Sequence, residues 1–116
     1  MQKYSFILEG VTPSQNEWDK WHWSKRTELK DSFSWQIKRM GCGSHNGRMA
    51  HVHIVRVPKR VIDPLNVYSG CKGLLDAFVD HGYLRGDAAK DLTIQVDQRK
   101  REKDEEPHME VTINYL

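Results

Sequence analysis

The pair Asp63–Pro64 constrains the fold most, because it fixes the start of a helix in the middle of the chain. Aspartate is favoured at the residue before a helix, and proline is well tolerated at the first helical position. Gly82 suits the end of the same helix. Between these points apolar residues recur at helical spacing and predict one buried face, formed by Val67, Cys71, Leu74, Leu75 and Phe78.

Alternating apolar and polar residues predict strands on both sides of this helix. One strand covers residues 49–57, before Pro58, and two more cover residues 92–98 and 108–116. Residues 3–9 predict an opening strand. The highly charged segment between the last two strands, with the sequence RKREKDEEP, is expected to be a solvated hairpin connection.

A second helix is predicted over residues 24–40, because Leu29, Phe33, Ile37 and Met40 recur at helical spacing and Gly41 follows. The preceding segment holds three tryptophans among charges without a clean period, so we expect an ordered loop there. The order of elements predicts an α+β fold. We expect residues 1–116 to form a single domain, with a mixed sheet of about four strands packed by two helices.

Composition fits an ordinary globular protein and gives little direct information about partners. The net charge is +2, from 18 basic and 16 acidic residues, so charge alone does not indicate nucleic-acid binding. No apolar run approaches the roughly 20 residues of a membrane span, and the first residues alternate as a strand does rather than forming a leader. Cys42 and Cys71 are too few for a disulfide scaffold, and we interpret them as reduced thiols of a cytoplasmic protein.

Asp63, Asp87 and Lys72 are the residues with the clearest chemical potential. Each aspartate is explained by helix or turn capping, whereas the two together suit Mg²⁺, which takes oxygen ligands from one or two carboxylates plus a substrate phosphate. Lys72 lies on the same helical face as Leu65, and its ammonium could stabilise charge on a phosphate. The alternative is a surface ion pair between Lys72 and Asp76, four residues apart.

The remaining candidates suggest contacts with nucleic acid. His51 and His53 share one side of a strand, as a metal-binding pair would, although no third ligand is marked. The tryptophans could stack on unpaired bases, or they could belong to the core or to a dimer interface. Two basic groups are candidates for phosphate contacts. One is Lys25, Arg26 and Lys30, in the helix predicted over residues 24–40, and the other is Arg56, Lys59 and Arg60, before Asp63.

These motifs together resemble the RusA-type Holliday junction resolvases, small endonucleases common in bacterial prophages and phages. The sequence PSQNEWDKWHWSKR is similar to the family's Pro-Ser-x-Asn start and its later His-Trp. The sequence DPLN resembles the family's Asp-x-Asp-Asn motif, and KGLLDAFVDHGYLRGD resembles the Lys-x-Leu-Leu-Asp-Ala-Leu run that follows it. The segments IQVDQRK and MEVTI resemble the last two strands. The resemblance covers nearly the whole chain, and its specific part is the central block.

The resemblance implies a homodimeric endonuclease of bacterial or phage origin that uses Mg²⁺, or Mn²⁺, to cut four-way DNA junctions. By motif, Asp63 and Asp87 would be metal ligands, Lys72 would stabilise charge, and Asn66 would support the site. The sequence departs from the family at Leu65, which replaces the second aspartate of the motif.

A second departure is Gly86, which replaces one residue of the usual Asp-Asp turn. Two other functions therefore stand beside the enzyme. One is a catalytically impaired protein that still binds junctions, and the other is a dimeric structural protein of a mobile element.

Overall fold

Four strands form one mixed sheet, and their ranges confirm the strands predicted from alternation. They are β1 (Lys3–Glu9), β2 (Ala50–Val57), β3 (Leu92–Gln98) and β4 (His108–Tyr115). The computed structural model describes residues 3–41, 43–86, 88 and 90–116. In the sheet the order is β1-β4-β2-β3, with β2 and β3 parallel and the other pairs antiparallel.

The predicted hairpin between β3 and β4 is wrong, because β2 lies between these two strands. In the centre of the sheet, Val111 of β4 pairs with Phe6 of β1 on one side and with Ile54 of β2 on the other. Buried residues alternate along all of β4, whereas in β3 only Leu92 is buried. The strand with the stronger apolar face therefore takes the centre, and β3 takes the edge.

Both segments predicted to be helical form helices, but one is divided in two and an additional helix lies before them. The helix predicted over residues 24–40 is confirmed as α2 (Trp23–Arg39), with Met40 as its C-cap. The helix that starts after Asp63 is divided at Cys71 into α3 (Pro64–Gly70) and α4 (Lys72–Asp80). The segment predicted as a loop contains α1 (Gln15–Lys20).

Capping explains why α1 forms in spite of its irregular pattern. The Ser14 hydroxyl accepts a hydrogen bond from the Glu17 backbone N–H at 3.1 Å, and it bonds the Glu17 carboxylate at 3.3 Å. The first of these bonds satisfies a backbone N–H that the start of a helix leaves without a partner, and the second orients the Ser14 hydroxyl.

The core lies between one face of the sheet and the helices. The sheet contributes alternate residues such as Leu8, Val52 and Ile113, and the helices contribute Phe33 and Phe78. Residues at the intervening positions of the strands carry mostly polar side chains on the opposite face. In the described part of the chain, no helix combines the length and hydrophobicity that crossing a membrane requires.

Candidate functional site

Asp63 caps α3 and presents its side chain at the surface. Its Oδ1 accepts a hydrogen bond from the Leu65 N–H at 2.9 Å, and its carbonyl oxygen accepts from Asn66 and Val67 at 3.0 and 3.2 Å. Within the residues that the structure describes, the carboxylate has no salt-bridge partner. Asp63 is therefore a helix cap, as its sequence position predicted, and it is also an exposed carboxylate.

Leu65 lies on the outer side of α3 and is 79% exposed. Leu65 therefore does not pack into the core. Val61 and Tyr68 are also largely exposed, so this part of the surface is apolar where the resemblance would place a second carboxylate.

Lys72 begins α4 and forms the surface ion pair that its spacing allows. Its Nζ lies 3.8 Å from Asp76 Oδ1, and its side chain is 72% exposed. Because both groups are solvated, this pair adds little to stability. The pair does not remove Lys72 from the surface where a phosphate could approach.

A cleft of about 270 Å³ lies where α1 and α2 face the junction of α3 and α4. We call it the Trp18 cleft, and its lining includes Trp18, Lys30, Ser69, Gly70, Lys72 and Asp76. The structure thus places a tryptophan and a lysine from the N-terminal segment beside Lys72, although these residues are far apart in the sequence.

Two glycines line the Trp18 cleft, and only Gly70 lies at a close approach of backbone segments. A Cβ atom on Gly70 would overlap the Pro13 carbonyl oxygen, so α3 can approach the start of α1 only because that side chain is missing. A Cβ atom on Gly73 would lie 3.4 Å from Lys30 Cε, which is ordinary contact with a flexible chain.

Cations surround the tryptophan rings beside the cleft. The Trp18 and Trp21 ring centroids are 6.1 Å apart. Lys25 Nζ lies 4.3 Å from the Trp21 centroid, and Arg26 Cζ and Lys30 Nζ lie 5.3 and 5.8 Å from the Trp18 centroid. Such distances are typical of cation–π contacts.

None of the three tryptophans of this segment is fully buried, and Trp23 is 70% exposed. The prediction that these tryptophans belong to the core is therefore wrong. Stacking on bases and dimer contact stay predictions.

A larger cavity of about 430 Å³ shares Lys30 and Asp76 with the Trp18 cleft and reaches Gly86. Asp31 and Asp80 also line it, so its far end is acidic. Asp87, predicted as a metal ligand, lies outside the described residues.

Ile62 and Gly86, which precede the two predicted metal ligands in the sequence, lie at opposite ends of β3. Ile62, before Asp63, donates to Gln98 Oε1 at 3.1 Å and accepts from Gln98 Nε2 at 2.6 Å, at the end of β3. Gly86 lies against the side chain of Asp91, just before β3 begins. A strand of this length spans roughly 20 Å. In the described part of the chain, Ile62 and Gly86 are therefore well separated. That Asp63 and Asp87 share a metal ion stays a prediction.

The basic residues before Asp63 fall into two groups. Arg56 is only 4% exposed, and its Nε donates to the Thr12 carbonyl at 2.8 Å while Nη1 donates to Gln98 at 3.2 Å. Burial lowers the pKa of Arg56. Arg56 thus ties the strand to the loop before α1 and does not belong to an exposed rim, whereas Lys59 and Arg60 are exposed.

His51 and His53 make separate contacts on the open face of the sheet. His51 Nδ1 is 2.7 Å from Thr93 Oγ1, and His53 Nε2 is 2.7 Å from Asp97 Oδ2. The hydrogen bond from His53 lowers the pKa of Asp97. Among described residues, neither histidine belongs to a group of three metal-ligating side chains.

One such group was not predicted from the sequence. It is formed by Glu105, His108 and Glu110, whose ligand atoms lie within 4.8 Å of one another. Arg99 donates to Glu105 at 3.0 and 2.8 Å and to Glu110 at 3.0 Å, and His108 Nε2 is 2.8 Å from Glu110. The hydrogen bonds from Arg99 lower the pKa of Glu105 to about 2. Because Arg99 supplies the positive charge, we interpret this Arg99 cluster as an ion-pair network.

Cys71 is buried in the core and is a free thiol. Burial raises its pKa to about 11, and its Sγ donates to the Val67 carbonyl at 3.3 Å. Cys71 is therefore a structural thiol with little thiolate at neutral pH. Cys42 lies outside the described residues.

In sequence comparisons the chain matches no protein-family model, and no curated protein matches it significantly. What the arrangement can do chemically therefore follows from the site alone. Exposed lysines and the half-buried Trp18 lie at one end of α3, and the exposed carboxylate of Asp63 lies at the other.

Proposed function

We propose that this protein is a metal-dependent endodeoxyribonuclease of the RusA type that binds and resolves branched DNA. The observation that carries the proposal is the surface along α3. Asp63 caps one end of this helix, and Ser69 and Gly70 at its other end line the Trp18 cleft with Lys30 and Lys72. Seven residues of helix span about 10 Å, roughly three steps of a DNA strand at 3.4 Å each.

Within this proposal the cations would hold phosphates. Lys30 and Lys72 line the cleft, and Lys59 and Arg60 lie exposed just before Asp63. Because phosphate contacts dominate the affinity of proteins for DNA, such a surface would bind it in a salt-dependent manner.

Asp63 is the described residue that fits a metal ion. Its carboxylate is exposed, Asn66 follows on the first turn, and Leu65 between them offers no oxygen. Mg²⁺ or Mn²⁺ bound there would neutralise phosphate charge and lower the pKa of a bound water. One carboxylate, with waters and a substrate phosphate, is within the range of ligand sets that Mg²⁺ accepts.

A homodimer would supply a second carboxylate. β3 is an edge strand, and Ile62 and Gly86 lie at its opposite ends. A two-fold axis that pairs two β3 edges antiparallel would bring the end of one β3 beside the start of the other. In our proposal Asp63 then works with Asp87 of the partner subunit. Sedimentation that shows only monomer at micromolar concentration would contradict this arrangement.

A second function, junction binding without cleavage, is favoured by one observation. Leu65 is exposed at the motif position where a carboxylate is expected, so the outer face of α3 lacks that oxygen ligand. The fold and the basic surface would still support binding.

Cleavage of a synthetic four-way junction with Mg²⁺ and with Mn²⁺ separates the two functions. We expect symmetric cuts that EDTA abolishes, and Asp63→Asn should slow cleavage at least about a hundredfold, since electrostatic positioning is often the largest catalytic contribution. Selective binding without cleavage by the wild-type protein would establish the binding function instead. Equal affinity for junction and linear duplex would overturn both.

Leu65→Asp tests whether the site lacks only a carboxylate. Because Leu65 is 79% exposed, the change should alter the free energy of unfolding by no more than about 0.5 kcal/mol. The added charge should raise both metal affinity and cleavage rate. Leu65→Asn is the matched control, with the same shape and no charge. If both variants cleave equally, the added carboxylate is not a ligand.

A further inference from the structure

We propose that the Trp18 cleft binds one unpaired nucleotide of DNA, with its base stacked on Trp18 and its phosphate held by Lys30 and Lys72. The inference rests on the proposed function for its choice of DNA as the ligand. It adds to that function a place where a base at a branch point is held apart from its partner.

Arg26 contacts both the backbone and the ring of Trp18 before any ligand arrives. Arg26 Nε donates to the Trp18 carbonyl at 2.9 Å, and its guanidinium lies 5.3 Å from the ring centroid. The indole lines the cleft and is half-buried, so it offers a stacking surface at little cost in side-chain entropy. Aromatic platforms of this kind bind bases in single strands without regard to sequence.

The polar groups around the ring suit a nucleotide. Lys30 and Lys72 contribute positive charge, and Asp76, which pairs with Lys72, is the carboxylate in the wall. Gln15 also lines the cleft, and its Nε2 donates to Asp19 at 2.8 Å. In our proposal its amide oxygen accepts a hydrogen bond from the edge of the base. Phosphate and base would thus meet cations and an amide respectively.

The size of the cleft selects for an unpaired base. Its volume of about 270 Å³ is below the range of sites for drug-sized ligands, roughly 300–1,000 Å³. One base fits such a space, whereas a base pair does not. Extruding a base from an intact duplex costs free energy for unstacking and unpairing, and this cost is smallest for a base that has no pairing partner. Branch points with unpaired nucleotides should therefore bind more tightly than fully paired ones.

The test measures binding in EDTA, so that cleavage plays no part. The probes are fluorescein-labelled oligo-dT, a fully paired four-way junction, and the same junction with unpaired thymines at its centre. Trp18→Leu removes the aromatic ring, and Trp18→Phe keeps one. Trp35→Leu is the matched control, because Trp35 is 60% exposed on α2 outside the cleft lining. Lys30→Ala is compared with Lys38→Ala, another exposed lysine of α2.

We expect Trp18→Leu to weaken binding of oligo-dT about fivefold or more, the lower end of the range for a stacked base. Trp18→Phe should restore most of the affinity, Trp35→Leu should change nothing, and Lys30→Ala should weaken binding more than Lys38→Ala. The unpaired junction should bind more tightly than the paired one. Equal effects of Trp18→Leu and Trp35→Leu would overturn the inference, as would equal affinity for the two junctions.

Two further results keep the test decisive. If Trp18→Leu lowers the melting temperature, Trp18→Phe and the two lysine variants carry the comparison, and unchanged binding by Lys30→Ala then rejects the site. Base binding at Trp18 without any cleavage in Mg²⁺ or Mn²⁺ would support the cleft and contradict the nuclease. Cleavage that is indifferent to Trp18 and Lys30 would do the reverse.

Discussion

The Trp18 cleft and the Arg99 cluster are both rich in charge, but they use it in opposite ways. In the Arg99 cluster one guanidinium binds two glutamates at 2.8–3.0 Å, and a histidine completes the network. Around the cleft, the cations lie over tryptophan rings at 4.3–5.8 Å. The first region satisfies its charges internally, whereas the second keeps cations at the surface. Partners, more than the number of charged residues, therefore distinguish a binding surface from a structural network.

Reversing charge should have the largest effect, and it should weaken DNA binding far more in the Trp18 cleft than near the Arg99 cluster. We expect the double substitution Lys30→Glu with Lys72→Glu to weaken binding of branched DNA at low salt at least about tenfold, because two phosphate contacts are lost. The slope of log affinity against log salt should fall by about two. Titrations at several salt concentrations measure both quantities.

The control is Lys100→Glu with Lys103→Glu, which makes the same change in net charge on exposed residues near the Arg99 cluster. Its effect should be much smaller. Equal losses from the two pairs would mean that overall charge, not the cleft, governs binding.

Gly70→Ala should disturb the packing beside the Trp18 cleft without changing its charge. A Cβ atom at Gly70 would overlap the Pro13 carbonyl, and overpacking of this kind typically costs about 1–3 kcal/mol. Gly73→Ala meets only the flexible Lys30 chain at 3.4 Å and should cost little. Urea unfolding of both variants provides the measurement. Equal stability of the two would show that α3 does not depend on this close approach.

The smallest effect concerns pH and the Arg99 cluster. Arg99 lowers the pKa of Glu105 to about 2 in the folded protein, so this glutamate stabilises the fold above its ordinary pKa of about 4.3. That contribution is lost as the pH falls toward 2. Glu105→Gln should lower the melting temperature near neutral pH and flatten its fall between pH 4.5 and 2. Glu102→Gln, at an exposed neighbour, should keep the wild-type profile.

Local features of the fold could be predicted from the sequence, and long-range ones could not. Alternation marked all four strands, and Asp63–Pro64 marked the start of α3, because these signals involve neighbouring residues. The position of β4 between β1 and β2 depends on packing between distant segments, which a nine-residue connection permits but does not encode. The helix α1 was missed although Ser14 and Glu17 have the spacing of a capping box.

In the candidate site, too, local features could be predicted from the sequence and contacts between distant residues could not. Asp63 as an exposed cap and the pair of Lys72 with Asp76 follow from local spacing. The burial of Arg56 could not be predicted, because its carbonyl partner at Thr12 is 44 residues away. The meeting of Trp18 with Lys72 likewise requires two helical segments to dock, and no local pattern specifies that contact.

The central place of β4 also sets an order for folding during synthesis. β1 and β2 are joined only through β4, which follows every other described element in the chain. A nascent chain that stops before residue 108 can form helices and the parallel pair β2–β3, but Phe6 and Ile54 still lack Val111 between them. Among the described elements, β1 therefore has no partner strand until the ribosome has made β4. The sheet can therefore close only after β4 has left the ribosomal tunnel. Pairing between such distant segments also forms slowly.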